Sequence, residues 1–180
     1  RWSKQYKLSE TESRPEMDRL IEWLPENIPD DEADSIVHGD FRCDNMAMHP
    51  TEPRVIAVLD WELSTIGHPL GDFTYHLMPW FQPEGTGTSG TLINADFKGL
   101  NIPDAEEYIK MYCERTGRNG FDNLDFYMSY NFFRLAAILQ GIVGRVKEGT
   151  AASAHALLNE QRIPPLAAKA WELAQRAGAK

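Results

Sequence analysis

The sequence predicts an α+β fold that is predominantly helical, with a small β-hairpin carrying its most polar motifs. Three observations lead there. Met17, Leu20, Ile21 and Leu24 recur at i, i+3, i+4 and i+7, the spacing of an amphipathic helix. Leu124, Tyr127, Met128, Leu135, Ile138, Leu139, Ile142 and Val146 lie near helical spacing within residues 121–147, a stretch apolar enough for a central core helix. Val55-Ile56-Ala57-Val58-Leu59 is short, continuous and β-branched, the pattern of a strand.

In chain order, residues 1–12 are polar, with room to open on a helical turn. Pro15 suits the first turn of the helix that follows, Ser13 is placed to cap it, and Pro25 and Pro29 stop it. Asp30-Asp31-Glu32-Ala33-Asp34 reads as an acidic linker. Ser35-Ile36-Val37-His38 and Met46-Ala47-Met48 are short strand candidates, and Pro50-Thr51-Glu52-Pro53 is a turn leading into the 55–59 strand. Helices are expected over residues 73–81 and 104–115, the second ending at Gly117 in a left-handed cap. Residues 82–99 form a Gly-, Thr- and Pro-rich loop, and Pro164-Pro165 opens a last helix through Ala174.

Composition sets the outer limits. The 180 residues suffice for one domain with a substantial core. No apolar run approaches the roughly 18 residues of a membrane span. The net charge of −9 argues against a nucleic-acid binder, which shows a basic stripe. Cys43 and Cys113 match no metal spacing and read as free thiols of a reducing, cytoplasmic compartment. The start, Arg1-Trp2-Ser3-Lys4-Gln5-Tyr6, is no signal peptide and reads as the interior of a longer protein.

The chemistry concentrates in two acidic motifs at neighbouring strand ends. The first is His38-Gly39-Asp40-Phe41-Arg42-Cys43-Asp44-Asn45; the second is Val58-Leu59-Asp60-Trp61-Glu62. Phosphoryl transfer to an alcohol uses a carboxylate that accepts or orients the hydroxyl proton, and Asp40 after a strand is placed for this. A turn-capping Asp is the alternative reading. Asn45 follows five residues later, the spacing of a kinase catalytic loop whose Asn holds a metal ion. Asp60 ends an apolar strand, where a buried carboxylate is costly unless paired or metal-bound; a helix N-cap is its alternative.

These residues resemble a known family. His38-Gly39-Asp40 with Asn45, then Leu59-Asp60-Trp61-Glu62, then Gly71-Asp72, look like the aminoglycoside phosphotransferase-like kinases, a group that includes choline and homoserine kinases. Residues 55–72 are especially similar to the kinase-like domain fused to, or encoded beside, acyl-CoA dehydrogenases. The match is strong over residues 35–75 and loose elsewhere.

The resemblance implies a protein-kinase-like C-terminal lobe over residues 1–180, using Mg²⁺ with ATP as co-substrate and a small-molecule hydroxyl as acceptor. It makes Asp40 the base and Asn45 and Asp60 the metal ligands. His38 and Asp72 support the catalytic loop. Arg42 contacts the transferring phosphate or is merely solvated; Glu62 meets a metal-bound water or solvent. Glu62 stands where protein kinases have the Gly of Asp-Phe-Gly, which favours a small-molecule kinase.

Such an enzyme also needs a phosphate-covering loop and a strand Lys paired to a helix Glu. Neither precedes His38, so the nucleotide-binding N-terminal lobe is expected outside this chain, and an acyl-CoA dehydrogenase domain or neighbour is an expected partner. Gly85-Thr86-Gly87-Thr88-Ser89-Gly90 matches G-x-G-x-x-G, but neither follows a strand nor opens a helix, and reads as a surface loop. The histidines 49, 68, 76 and 155 form no metal spacing, and the aromatics of residues 126–133 read as core. Two other classes compete. A non-catalytic kinase-like module would have lost Asp40, Asn45 or Asp60. A two-metal phosphoesterase wants further His and Asp ligands on separate loops.

Overall fold

The computed structural model describes residues 1–30, 34–87, 90–150 and 154–180, without the side chains of 154–157. Helices α1 (Trp2–Ser9) and α2 (Pro15–Glu26) come first. Four strands follow: β1 (Ser35–Val37), β2 (Met46–Met48), β3 (Val55–Val58) and β4 (Thr65–Gly67). The rest is helical, with α3 (Leu70–Leu77), α4 (Phe97–Leu100), α5 (Ala105–Thr116), α6 (Leu124–Lys147) and α7 (Ile163–Arg176). The mostly helical α+β expectation therefore stands.

Helix α6 is the axis of the core. Phe126, Met128, Phe132, Phe133, Ala136, Ala137, Leu139 and Val143 are all buried, so apolar residues occupy most of its circumference, as a helix packed on several sides requires. It meets α7, α1, α3 and α2, with Leu166, Ala170, Leu173, Tyr6, Leu77, Met17 and Leu20 filling the space between. Small residues decide how near the helices come. At Gly144, a Cβ would stand 2.9 Å from the Ser9 Cβ and 3.2 Å from the Ser9 carbonyl oxygen, so α1 packs directly on bare backbone. Gln140 fixes the same contact by donating to the Ser9 carbonyl at 2.6 Å.

The β elements form two antiparallel pairs. β2 pairs with β3 as the expected hairpin, Ala47 opposite Ala57. β1 pairs with β4, Ile36 opposite Ile66. The second pair was not anticipated, because Thr65-Ile66-Gly67 is too short to carry an alternating pattern.

Several boundaries differ from expectation for identifiable reasons. Ser13 does not cap α2: its hydroxyl donates to the Asp18 carboxylate at 3.3 Å, and Arg14 occupies the N-cap. Pro25 lies inside α2, which ends one residue later. α3 begins at Leu70 and ends at Leu77, with Pro79 in a short 3₁₀ turn (Met78–Trp80). Phe97–Leu100 forms one helical turn where only loop was expected, its Asp96 cap accepting from the Gly99 amide at 2.9 Å. α5 carries a full capping box between Asp104 and Glu107, and Gly117 at φ 70° ends it as predicted. The middle of the acidic linker (31–33) and Thr88-Ser89 of the glycine-rich loop lie outside the described residues.

Candidate functional site

β1 delivers the chain into a loop held on all sides by polar contacts. His38 is 2 % exposed. Its Nε2 meets the Leu59 carbonyl at 2.7 Å, and the Asp40 amide donates to its Nδ1 at 3.2 Å. A ring nitrogen that accepts carries no proton, so the proton sits on Nε2 and points at Leu59. His38 thus ties the first acidic motif to the residue before Asp60. Asp72, in the first turn of α3, accepts from the His38 amide at 2.5 Å and the Gly39 amide at 2.9 Å. Gly39 has φ 81°, and a Cβ there would stand 2.5 Å from the Leu63 carbonyl oxygen. Glycine is needed for both reasons.

Asn45 closes the loop. Its Nδ2 donates to the Asp40 backbone carbonyl at 2.8 Å and to the Asp40 carboxylate at 3.0 Å. Its own carbonyl accepts from the Leu59 amide at 2.8 Å. The two motifs, distant in sequence, are therefore one unit in space, joined by Asn45 and His38 to the two sides of Leu59.

Asp60 corrects the expectation of a buried carboxylate at a strand end. β3 stops at Val58, and Asp60 is exposed, in the left-handed region at φ 66°. It precedes a short 3₁₀ turn (Trp61–Leu63) without capping it through its side chain. Asp and Asn are the side chains that tolerate this backbone best. Arg42 is exposed and ion-paired with Asp44. Glu62 is exposed.

Three residues near the loop escaped the sequence reading. Tyr75 of α3 adjoins Asp40; burial, then the Asp40 charge, pushes its phenol above the ordinary range. Arg134 of α6 donates to the Gly39 carbonyl, its guanidinium lying over the Tyr75 ring at 4.8 Å. Asn131 donates to the Gly71 carbonyl at 3.0 Å and to the Thr74 hydroxyl at 2.8 Å. The available signal was an Asn and an Arg within the apolar run of the core helix, where a polar side chain needs a buried partner. Beside the loop, Phe41 packs on His76 at 5.5 Å, and His76 on Tyr108 at 5.7 Å. Burial holds the His76 pKa below its ordinary value.

A polar loop after β1, the β2–β3 hairpin beside it and a helical body beneath them make up the site. The family model of the phosphotransferase enzyme family (APH) matches residues 1–127. The chain belongs to that family. A crystal structure from Ralstonia eutropha, named as an aminoglycoside phosphotransferase, matches with a TM-score of 0.89 at 53 % identity, over 97 % of this chain and 53 % of that one. The fold is accordingly kinase-like. Acyl-CoA dehydrogenase family member 10 of Mus musculus is 44 % identical over 98 % of this chain. Family member 11 of Homo sapiens is 40 % identical over 97 %. The chain spans 17 % and 22 % of those two proteins.

Proposed function

We propose that this chain is the C-terminal, catalytic lobe of an ATP-dependent kinase that transfers the γ-phosphoryl group to a hydroxyl of a small-molecule acceptor. The observation that carries the reading is the Asn45 amide bridging the Asp40 carbonyl and carboxylate, on a hairpin that also brings up Asp60. In this reading Asp40 accepts the hydroxyl proton as the acceptor oxygen bonds to the γ-phosphorus and the bond from that phosphorus to the β–γ bridging oxygen breaks, ADP leaving with the electron pair. Asn45 orients that carboxylate through Nδ2, which leaves its amide oxygen for another ligand. Arg42, released from Asp44, contacts the transferring phosphate. His38 and Asp72 hold the loop still.

The donor set fits Mg²⁺. The Asn45 amide oxygen and the exposed Asp60 carboxylate are hard oxygen ligands, and Mg²⁺ usually takes one or two carboxylates and completes its shell with phosphate oxygens and water. Bound there, it would neutralise charge on the nucleotide phosphates. Among the described residues no group of three or more His, Cys, Asp or Glu side chains is gathered to hold an ion.

The nucleotide-gripping lobe belongs to the rest of the protein in this reading, in line with the 53 % of the solved chain that these residues cover. The acceptors to try are aminoglycosides, amino alcohols, sugars and hydroxyacyl-CoA derivatives; of these the relatives' names touch only on aminoglycosides and acyl-CoA. The test is phosphate transfer from radiolabelled Mg·ATP by the full-length protein against that panel. Transfer that disappears in Asp40→Asn supports the assignment. Transfer at the parent rate in that variant refutes it, and a parent protein that neither transfers nor hydrolyses ATP points to a non-catalytic module.

A further inference from the structure

Two buried polar side chains on α6 stand out from the core around them. Asn131 and Arg134 lie three residues apart and share a helix face. Asn131 is fully buried and holds α3 through Gly71 and Thr74, on either side of Asp72. Arg134 is 7 % exposed, and among the described residues it pairs with no carboxylate. Its guanidinium lies between two rings, 4.8 Å from Tyr75 and 5.3 Å from Trp2. Its Nε has no partner.

For stability alone this is a poor choice of residue. An uncompensated buried cation is costly, and two aromatic faces return only part of that cost. A hydrocarbon of similar shape would serve the core better. What the arginine does provide is a donor to one particular peptide. Its Nη2 binds the carbonyl of the Gly39–Asp40 peptide, and the amide of that same peptide donates to His38 Nδ1. The peptide from which the Asp40 side chain springs is thus gripped at both ends. A hydrogen bond to the carbonyl also polarises the amide and strengthens its bond to His38.

We infer that Arg134 is a positioning residue for the phosphoryl-transfer base: it anchors the Gly39–Asp40 peptide to the core helix, while Asn131 anchors the Asp72 turn to the same helix. The inference rests on the reading of Asp40 as the base. Misplacement of a reacting group by about 1 Å can cost on the order of a hundredfold in rate, so an anchor of this kind acts on kcat and leaves substrate affinity alone.

The experiment uses the full-length protein, with whichever acceptor of the panel is phosphorylated, or with water as acceptor to Mg·ATP. Arg134→Met keeps the stem between the rings and removes the donor and charge. Arg134→Lys keeps charge and donor on a narrower head. Asp40→Asn is the reference. The expected result is a roughly 10- to 100-fold lower kcat in Arg134→Met, with KM for ATP and acceptor within about twofold, and partial recovery in Arg134→Lys. Amide exchange in residues 38–42 should quicken in Arg134→Met. Asp40→Asn inactive with kcat of Arg134→Met within about twofold of the parent overturns the positioning role and leaves the base assignment standing. Asp40→Asn fully active overturns both. If Arg134→Met does not fold, Arg134→Lys is judged by the same kcat criterion.

Discussion

The carboxylate of Asp72 accepts from two consecutive backbone amides, those of His38 and Gly39, across 34 and 33 residues of sequence. A carboxylate gripping two N–H groups is a charge-assisted clamp, and it sits on α3 rather than on the loop it holds. The loop is therefore shaped by the helical body.

Asp72→Asn turns one of those acceptors into an N–H₂ facing an N–H. The stability loss should be about 1–3 kcal/mol, the usual cost of leaving buried donors unmatched. Phosphate transfer should fall by more than stability alone explains, since Gly39 immediately precedes Asp40. Denaturant midpoints and kcat measured on the same preparation check this; a variant with parent kcat would detach the clamp from catalysis.

Asp60 predicts the opposite division. Its side chain is exposed and bonds to nothing among the described residues, so removing its charge should leave stability within about 0.5 kcal/mol. Asn keeps the tolerance for φ 66°, whereas Ala there adds left-handed strain of about 1–2 kcal/mol. Asp60→Asn should raise the Mg²⁺ concentration needed for half-maximal transfer, at nearly unchanged Tm. A Mg²⁺ titration that does not move would remove Asp60 from the metal shell.

His76 supplies a pH dependence. Burial lowers its folded pKa below the ordinary 6.5, so as pH falls the unfolded chain binds this proton first. The stability that neutral His76 supports is whole above 6.5. It is lost progressively as pH falls from there to the folded value, and the loss is complete below it. His76→Phe keeps an aromatic ring against Phe41 and Tyr108 and removes the titration. The Tm difference between pH 7 and pH 5 should be smaller in that variant than in the parent; an equal difference would place the acid sensitivity elsewhere.

The helical body was largely legible in the sequence, because long helices repeat their apolar spacing many times: α2, α5, α6 and α7 all lie within a few residues of their expected bounds. The hairpin was legible through its β-branched run and its proline turn. β4 was not, since three residues hold less than two periods and its formation depends on β1 being at hand. Of the candidate residues, Asp40 and Asn45 were picked out by their spacing and Asp60 by its place after an apolar strand, and the structure brings the two segments together through Leu59. The environment of Asp60 was misjudged, because strand-end residues are buried only if something covers them. Arg134 and Asn131 were visible as polar residues in an apolar helix, but not their partners at Gly39 and Gly71, which are backbone carbonyls, and a carbonyl leaves no mark in a sequence.

Gly141 and Gly144 separate two ways in which a helix meets its neighbour. Both lie on the α6 face toward α1, and at both a Cβ would come within 2.9 Å of an α1 atom. At Gly141 that atom is Nε2 of Gln5, the far end of a side chain that can swing away. At Gly144 it is the Cβ of Ser9, with the Ser9 carbonyl oxygen and Cα at 3.2 and 3.3 Å, so the backbone itself must move. Replacing a mid-helix Gly with Ala gains up to about 1 kcal/mol of helix propensity. Overpacking a rigid contact costs about 1–3 kcal/mol. Gly141→Ala should thus be neutral or stabilising, and Gly144→Ala destabilising. Ser9→Gly, which removes the clashing Cβ, should recover part of the loss, with a coupling of at least about 0.5 kcal/mol in the double-mutant cycle. Strictly additive effects would mean that α1 rests elsewhere on α6. Because α1 also carries Trp2, which covers one face of Arg134, the same displacement should loosen residues 38–42 in amide exchange.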